Sequence, residues 1–260
     1  MAVVTSTRNP AVRAARRLAR GGHDGHVLVE APGPIAAALA AGALTTVYVT
    51  ERSRTAHADV LEAATAAGVT IQPVADHVLE AMAATRGPQG LVGIARLETL
   101  APEGALGSSH LAVVLVDAAD PGNVGTVVRT ADAAGAGAVV LAGDTVDPGN
   151  PKAVRAAAGS LFHLPVARGS WDDVAEAARR AGLELVACTH TATTAHSDAD
   201  LTGPLALVLG SEAHGLPDHV AAACDRAIAV PQRGSAESLS LPVAAGVVLF
   251  EAQRQRAMPH

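Results

Sequence analysis

Two kinds of apolar run alternate along this chain. Short runs rich in Val, Leu and Ile, bounded by Gly, Pro or acidic residues, read as strands; Ala-rich stretches of helical spacing lie between them. In the N-terminal part the strand-like runs are His26–Glu30, Thr46–Thr50, Val69–Pro73 and Gly90–Arg96. The helical stretches are Pro34–Ala41, entered through a proline at its first turn, residues 56–67, and Asp76–Ala84 with Asp76 as its cap. Upstream, Asn9-Pro10 reads as the start of a helix over Ala11–Arg20. Together these predict a small α/β domain.

The alternation restarts at Leu111. Leu111–Val116 is continuously apolar, as a strand buried on both faces should be. Val124–Ala134, Pro151–Ala158 and Trp171–Ala181 read as helices, and Ala138–Leu141, Glu184–Cys188, Leu205–Leu209 and Ile228–Val230 as strands. Leu241–Arg256 is a long closing helix. This order predicts a mostly parallel, doubly wound α/β sheet, whose ligands sit at the C-terminal ends of strands. The Pro/Gly/Ser stretch Ala101–Ser109 marks a domain boundary. The expected organisation is a basic arm over 1–22, a first domain over 23–100, a linker over 101–110 and a second domain over 111–260.

Composition narrows the function. The one lysine, Lys152, follows Pro151, so no P-loop is present. Cys188 and Cys224 form no C-x-x-C clip, which excludes a zinc knuckle or disulfide framework and predicts a reduced, cytoplasmic protein. The N-terminus has no secretion-signal pattern, and no run of 18 apolar residues could span a membrane. The four aromatics, Tyr48, Phe162, Trp171 and Phe250, are too few for a base-stacking platform. The net charge of −6 argues against nucleic acid until it is divided by region. Residues 1–20 carry Arg8, Arg13, Arg16, Arg17 and Arg20 with no acid, a local +5, with arginines over most of the predicted helix's circumference. Such a helix is either an RNA-binding arm or a solvated surface element.

Three glycine-containing loops follow predicted strands. Asp120–Arg129 (DPGNVGTVVR) opens a helix whose free N–H groups favour an anionic or carboxylate-bearing ligand, with Arg129 one to two turns in; its glycines could equally serve only the turn. Leu209–Leu216 (LGSEAHGL) places Glu212 three residues past a strand end, to pair with Arg129, bind ligand amines or simply face solvent. Val230–Leu241 (VPQRGSAESLSL) gathers Arg233, Glu237, Ser238 and Ser240 ahead of the last helix, where serines could act only as caps. Gly135-Ala-Gly-Ala138 leads from helix to strand, the wrong order for a dinucleotide fingerprint, which disfavours an oxidoreductase. His214 is a general base, a ribose contact or a solvated loop residue, and His190, His196 and His219 have no partners at metal-ligand spacing, so no metal is expected. No G-x-S-x-G elbow supports a serine hydrolase.

Taken together, Asn123-x-Gly125-x-x-x-Arg129, Gly210-x-Glu212-x-x-Gly215-Leu216 and Pro231-x-x-Gly234-x-x-Glu237-Ser238-Leu239 resemble the three motifs of the SpoU (TrmH) family of RNA 2′-O-ribose methyltransferases, in the SPOUT superfamily. The resemblance extends to Asn150–Arg155 and Gly159, and to Arg8-Asn-Pro10, Leu28-Val-Glu30 and Pro88-Gln-Gly90, which are similar to the family's RNA substrate-binding domain. It implies a C-terminal SPOUT-type parallel sheet with a deep trefoil knot, S-adenosylmethionine as methyl donor, and a homodimer. It assigns catalysis to Arg129, Asn123, Glu212 and Ser238, and the cofactor to Leu209, Gly210, Ser211, Val230, Ser238 and Leu239. RNA contacts fall on Arg8, Arg13, Arg16, Arg17 and Arg155. The chain departs from the family pattern at Ser240, where Asn is usual, at Ala213 and His214, and at Ala157. The expected activity is 2′-O-methylation of structured RNA, ribosomal RNA first. The alternatives are a tRNA 2′-O-methyltransferase and an RNA-binding or ribosome-assembly protein that has lost catalysis.

Overall fold

The strand-like runs of the N-terminal part become β1 (His26–Glu30), β2 (Leu44–Thr50), β3 (Thr70–Val74) and β4 (Leu91–Arg96), accompanied by helices α1 (Pro10–Leu18), α2 (Pro32–Ala40), α3 (Ala58–Ala66) and α4 (Asp76–Met82). The coordinates are a computed structural model that describes residues 2–21, 24–85, 87–235 and 238–257. Among the described residues the four strands form one sheet in the order β1-β4-β2-β3. It is mixed: β4 runs antiparallel to both neighbours, and β2 and β3 are parallel. Leu28, Tyr48 and Val92 point from one face into a core shared with α1 and α4, built on Val12, Ala15, Leu18, Val78, Leu79 and Met82. Val29 faces the other way, toward Ile35 of α2, and a Cβ on Gly93 would overlap the Val29 side chain at 2.8 Å.

The N-terminal helix is therefore part of this unit's core and not a free arm. Asn9 caps it by accepting from Ala11 N at 2.9 Å. Val12, Ala15 and Leu18 recur every third residue and are buried. That spacing gathers Arg13, Arg16 and Arg17 onto the opposite face, within an arc of about 100°, instead of around most of the circumference. One of them, Arg17, reaches Asp24 at 3.2 Å, an exposed pair of little consequence for stability. Asp76 is the first residue of α4, not its cap; Ala75 holds the cap position with no side-chain bond.

The second half provides β5 (Leu111–Val116), β6 (Ala138–Ala142), β7 (Val166–Gly169), β8 (Glu184–Cys188), β9 (Leu205–Leu209) and β10 (Arg226–Ile228). These pair, all parallel, in the order β10-β8-β9-β5-β6-β7. The helices are α5 (Pro102–Leu106), α6 (Pro121–Ala133), α7 (Pro151–Ala157), α8 (Trp171–Arg180), α9 (Asp218–Ala223) and α10 (Leu241–Arg256). One sheet face packs on α8 and α5 through Trp171, Val174, Ala178 and Leu106. On the other, Gly246 of α10 lies against Thr130 of α6.

Two boundaries differ from the sequence expectation. The 101–110 stretch is no linker: Ala105 and Leu106 are buried in the second unit, and Leu100 pairs with β7 through Leu100 N to Val166 O at 2.9 Å and Arg168 N to Leu100 O at 3.0 Å. The second domain is also discontinuous. The chain divides into one unit of residues 1–98 with 149–163 and another of 99–148 with 164–260. The inserted stretch, α7 and the turn after it, packs in the first unit. Gly159 (φ +105°) comes so close to α2 that a Cβ there would lie 3.1 Å from Ala37 Cβ and 3.3 Å from Pro34 Cα.

Ala31, ahead of α2, has φ 73° and ψ 155°, a region essentially reserved for glycine. Releasing that strain outweighs the greater unfolded-state entropy of glycine, so Ala31→Gly is expected to stabilise the first unit by about 1 kcal/mol. Ala36→Gly, at an exposed position within α2, should instead destabilise by about 1 kcal/mol. Urea midpoints of the two variants should move in opposite directions; shifts in the same direction would remove the strain argument.

Candidate active site at the carboxyl edge of the parallel sheet

β5 lies between β9 and β6, with Leu115 level with Leu209. Chain order reverses at this point: β6 and β7 extend to one side, while β9, β8 and β10 lie on the other. The loops leaving β5 and β9 therefore emerge side by side, the position where open α/β sheets hold ligands. The first motif sits on the turn into α6, which Asp120 caps by accepting from Asn123 N at 2.9 Å. The second sits on the loop after β9. Their meeting is direct: Asn123 Nδ2 donates to Glu212 Oε1, joining side chains 89 positions apart. Glu212 pairs with this amide and not with Arg129. Arg129 is exposed on the same side of α6 as Asn123, Thr126 and Thr130, opposite the buried Val124, Val127, Val128 and Ala131.

The loop after β9 closes on itself. Gly215 N donates to Ser211 O at 2.9 Å, His214 N to Ser211 Oγ at 3.3 Å, and Ser211 and Gly215 form an isolated antiparallel bridge. A Cβ on Gly210 would stand 2.1 Å from both C and O of Gly215 and 2.3 Å from Leu216 N. The family glycine at 210 is thus required by backbone that folds directly over it. Leu209 has its side chain in the sheet and is 3% exposed, so only its backbone is available to a ligand.

Next to this loop, β8 and β10 end level with each other, Cys188 beside Ile228. The segments that follow enclose a cavity of about 400 Å³ lined by His190, Thr193, Ala195, Val230, Pro231 and Gln232, among others. Val230 is the one member of the expected cofactor set in this lining; the 190–195 segment was missed in the sequence. Its signal was available: residues 189–204 join β8 to β9 with no helix or strand, a connection long enough to suggest function. The stretch is anchored from α10. Gln255 Oε1 accepts from Leu201 N at 2.8 Å and Gln255 Nε2 donates to Ala199 O at 3.0 Å, while Arg256 donates to the carbonyls of Leu201 and Gly203. Hydrogen bonds from Arg254 and Gln255 hold the Glu251 carboxyl down at about 2, so it stays ionised beside them.

The third motif is described in part. Ser238 and Ser240 are exposed and Leu239 half-buried, while Glu237 lies outside the described residues. Ser240 occupies the cap position of α10 but makes no side-chain capping bond, so capping does not account for it. Arg8 and Arg13 are exposed in the first unit, with Arg16 half-buried, and Arg155 is exposed on the last turn of α7. Among the described residues there is no group of three or more His, Cys, Asp or Glu able to hold a metal, and no helix is long and apolar enough to cross a membrane.

The two cysteines are free. Burial pushes the Cys188 thiol up to about 12, with Cys224 adding to the shift, and burial followed by Asp225 raises Cys224 to about 11. At pH 8 their thiolate fractions should be more than about a hundredfold below that of free cysteine. Iodoacetamide labelling followed by mass spectrometry should therefore be slow in the native protein, rise only toward pH 11, and become prompt in urea. Prompt native labelling at pH 8 would contradict this.

The second unit is an α/β domain whose strand order reverses at β5, where the loops after β5 and β9 meet. Residues 110–250 match the SpoU rRNA Methylase family, and residues 33–99 match the RNA 2′-O ribose methyltransferase substrate-binding family. The chain belongs to the SpoU family of RNA methyltransferases. It is 34% identical to an uncharacterized tRNA/rRNA methyltransferase of Synechocystis, over 98% of this chain and 95% of that protein. It is 36% identical to a 23S rRNA (guanosine-2′-O-)-methyltransferase of Ralstonia nicotianae, over 77% and 83%. The AdoMet-bound rRNA methyltransferase from Sinorhizobium meliloti superposes with a TM-score of 0.85 at 31% identity, covering 97% of each chain.

Proposed function

We propose that this protein methylates a ribose 2′-hydroxyl of ribosomal RNA with S-adenosylmethionine as donor. The observation that carries the reading is the junction of the first two motifs, Asn123 hydrogen-bonded to Glu212 with Arg129 on the same side of α6. The cavity beside it suits the donor. Among the described residues its lining is mostly small apolar side chains with Thr193, His190 and Gln232 and no acidic or Arg side chain, an environment for an uncharged adenosine, and Gly210 lets backbone approach closely. Leu209 and Gly210 through backbone, Ser211, Val230, Ser238 and Leu239 would hold it.

Bound S-adenosylmethionine supplies a methyl group already activated on a sulfonium. What remains for the chain is to align the ribose O2′ and stabilise it as the hydroxyl gives up its proton. A guanidinium keeps its own proton and has no acceptor, so Arg129 acts by electrostatic hold on the O2′ or the neighbouring phosphate. Glu212, itself oriented by Asn123, and Ser238 position the hydroxyl. Arg13, Arg16 and Arg17 on α1, with Arg8 just ahead of its Asn9 cap, contact RNA phosphates.

The same reading includes a trefoil knot. Its support is the path of the chain: β9 is inserted between β5 and β8, β10 lies beyond β8 at the sheet edge, and α10 then returns to pack on α6. It also includes a homodimer. Of the three large hydrophobics exposed among the described residues, Val243 (50%) and Phe250 (47%) lie on α10, seven positions apart with half-buried Val247 between them. Such a stripe fits a helix face covered by a second copy. Phe250→Glu with Val243→Glu should shift the protein to monomer in sedimentation; an unchanged dimer would place the interface elsewhere. With rRNA as substrate, the protein's place is the cytoplasm.

The test is incorporation of tritiated methyl into protein-free rRNA and into tRNA, followed by mapping of 2′-O-methylation. Label on rRNA that disappears with Arg129→Ala supports the reading. Label on tRNA alone reassigns the substrate. Calorimetric binding of S-adenosylmethionine with no transfer to either RNA would leave an RNA-binding protein, the outcome Ser240 in place of the usual Asn makes worth measuring.

A further inference from the structure

The first unit holds a cavity of about 420 Å³ that the methyl-transfer site does not use, a size typical of small-ligand pockets. Pro34, Pro88 and Val154 supply apolar wall, and Glu30, Gln89 and Arg155 supply the polar groups. We propose that this cavity receives a single unpaired nucleotide of the RNA substrate, its base between the apolar walls and its phosphate on Arg155. The proposal rests on the RNA-substrate reading above.

Each group fits that occupant. Arg155 is exposed and its side chain makes no hydrogen bond or ion pair with the described residues, leaving its planar fork for a phosphate. Glu30 is fixed in place: its Oε1 accepts from Ala84 N at 3.0 Å, Thr85 N at 3.2 Å and Thr85 Oγ1 at 3.0 Å. Its Oε2 takes part in none of these bonds. An acceptor-only oxygen selects a base edge that donates; adenine, cytosine and guanine each offer a projecting exocyclic amine, whereas uracil offers only its N3–H set between two carbonyls that a carboxylate repels. Gln89, exposed on the rim, offers both donor and acceptor. The apolar walls stand where aromatic faces are more often used against bases; none of the four aromatics is among the described residues lining this cavity.

Two strained residues stand at the same place. Ala31 (φ 73°) and Ala158 (φ 50°) are two of the three non-glycine residues with positive φ among the described residues, and both line the cavity. Each such conformation costs about 1–3 kcal/mol and persists where surroundings impose it, often at binding sites. The substrate-binding match covers Pro34, Pro88 and Gln89, whereas Val154 and Arg155 come from the inserted stretch 149–163. The pocket is therefore completed by the methyltransferase half of the sequence.

The test measures two bindings on wild type, Arg155→Ala and Gln89→Trp, with S-adenosylmethionine affinity as the folding control. The first is calorimetry with the four ribonucleoside 5′-monophosphates. The second is the affinity for protein-free rRNA as a function of salt. Wild type should bind AMP, CMP and GMP more tightly than UMP, and Gln89→Trp should abolish this by filling the cavity. Arg155→Ala should weaken monophosphate and rRNA binding about tenfold and lower the salt slope by about one. If rRNA binds all three proteins equally, the RNA reading stands and the pocket proposal falls. If monophosphates bind and are blocked by Gln89→Trp while wild type binds no rRNA, the pocket stands and the RNA reading falls. Monophosphate binding unchanged by both substitutions overturns the proposal.

Discussion

Gly210→Ala is expected to abolish measurable binding of S-adenosylmethionine and to lower the stability of the second unit by about 3 kcal/mol or more. Overpacking is often relieved by a side-chain rotation, but here the atoms in the way are backbone: C and O of Gly215 and N of Leu216, all within 2.3 Å of the added carbon. To admit the methyl the loop must open, giving up the Ser211–Gly215 bridge and the Gly215 N to Ser211 O bond. Gly215 itself has φ +66°, so the closing turn has few other residues that could adopt it. Opening would also displace Glu212 from Asn123 and separate the first two motifs. Calorimetry and thermal melting measure both effects. Binding within about threefold of wild type would show that the cradle over Gly210 does not hold the cofactor.

Arg129→Ala is expected to lower the methyl-transfer rate by about 10²–10³-fold while S-adenosylmethionine affinity stays within about twofold. The two effects separate because Arg129 projects from the exposed side of α6, and the cavity beside β8 and β10 is lined by other residues. Arg129→Lys discriminates between roles. A lysine keeps the charge but loses the planar fork, so little activity should return if the fork positions the ribose and phosphate. Its pH–rate profile should keep the wild-type shape if the residue is not the base. Substantial activity in Arg129→Lys would remove bidentate positioning, and an acid limb newly shifted by the lysine would make residue 129 the base after all.

The sequence was most legible where one physical signal dominated. Leu111–Val116 is apolar throughout because its strand is covered on both faces, and both its boundaries agree with the structure. Asn9 announced a helix start and does cap it; Asp120 and Asn150 also cap their helices, although neither was read as a cap in the sequence. Elements were hidden where tertiary partners made a polar residue acceptable. The last strand begins at Arg226, two residues before the expected Ile228, because Glu184 on β8 receives Arg226 Nε at 2.7 Å and Nη2 at 2.9 Å. β7 was missed because Pro165 and Arg168 interrupt its four-residue edge position, and Arg168 is occupied by Asp147 and Thr145 O. The 101–110 stretch looked like a linker because its glycines, serines and proline give no apolar pattern, yet Pro102, Ala105, Leu106 and Ser109 are buried.

The candidate site divides in the same way. Asn123 and Glu212 were legible as motif positions, but their contact was not, since it depends on β5 and β9 being neighbours, which chain order alone does not state. The 190–195 wall was invisible to motif reading because small and hydroxyl residues there carry no charge pattern. The cavity at Glu30 was less legible still. It needs residues from the stretch 149–163 beside residues from 28–89, and no local signal predicts that a stretch between β6 and β7 belongs with the N-terminal sheet.

That insertion has a consequence for how the chain can be cut. The polypeptide passes between the two units three times, at 98–99, 148–149 and 163–164. A single proteolytic nick at the first crossing frees residues 1–98 from the rest of the chain, while the other two crossings keep residues 149–163 attached to the second unit. A fragment ending at residue 98 would leave β1 without α7 and the cavity without Val154 and Arg155. The first unit is thus not a detachable module. An independently folding version would have to be a stitched chain in which residues 149–163 are carried along with 1–98, and synthesis from the N-terminus cannot complete that unit until α7 has been made.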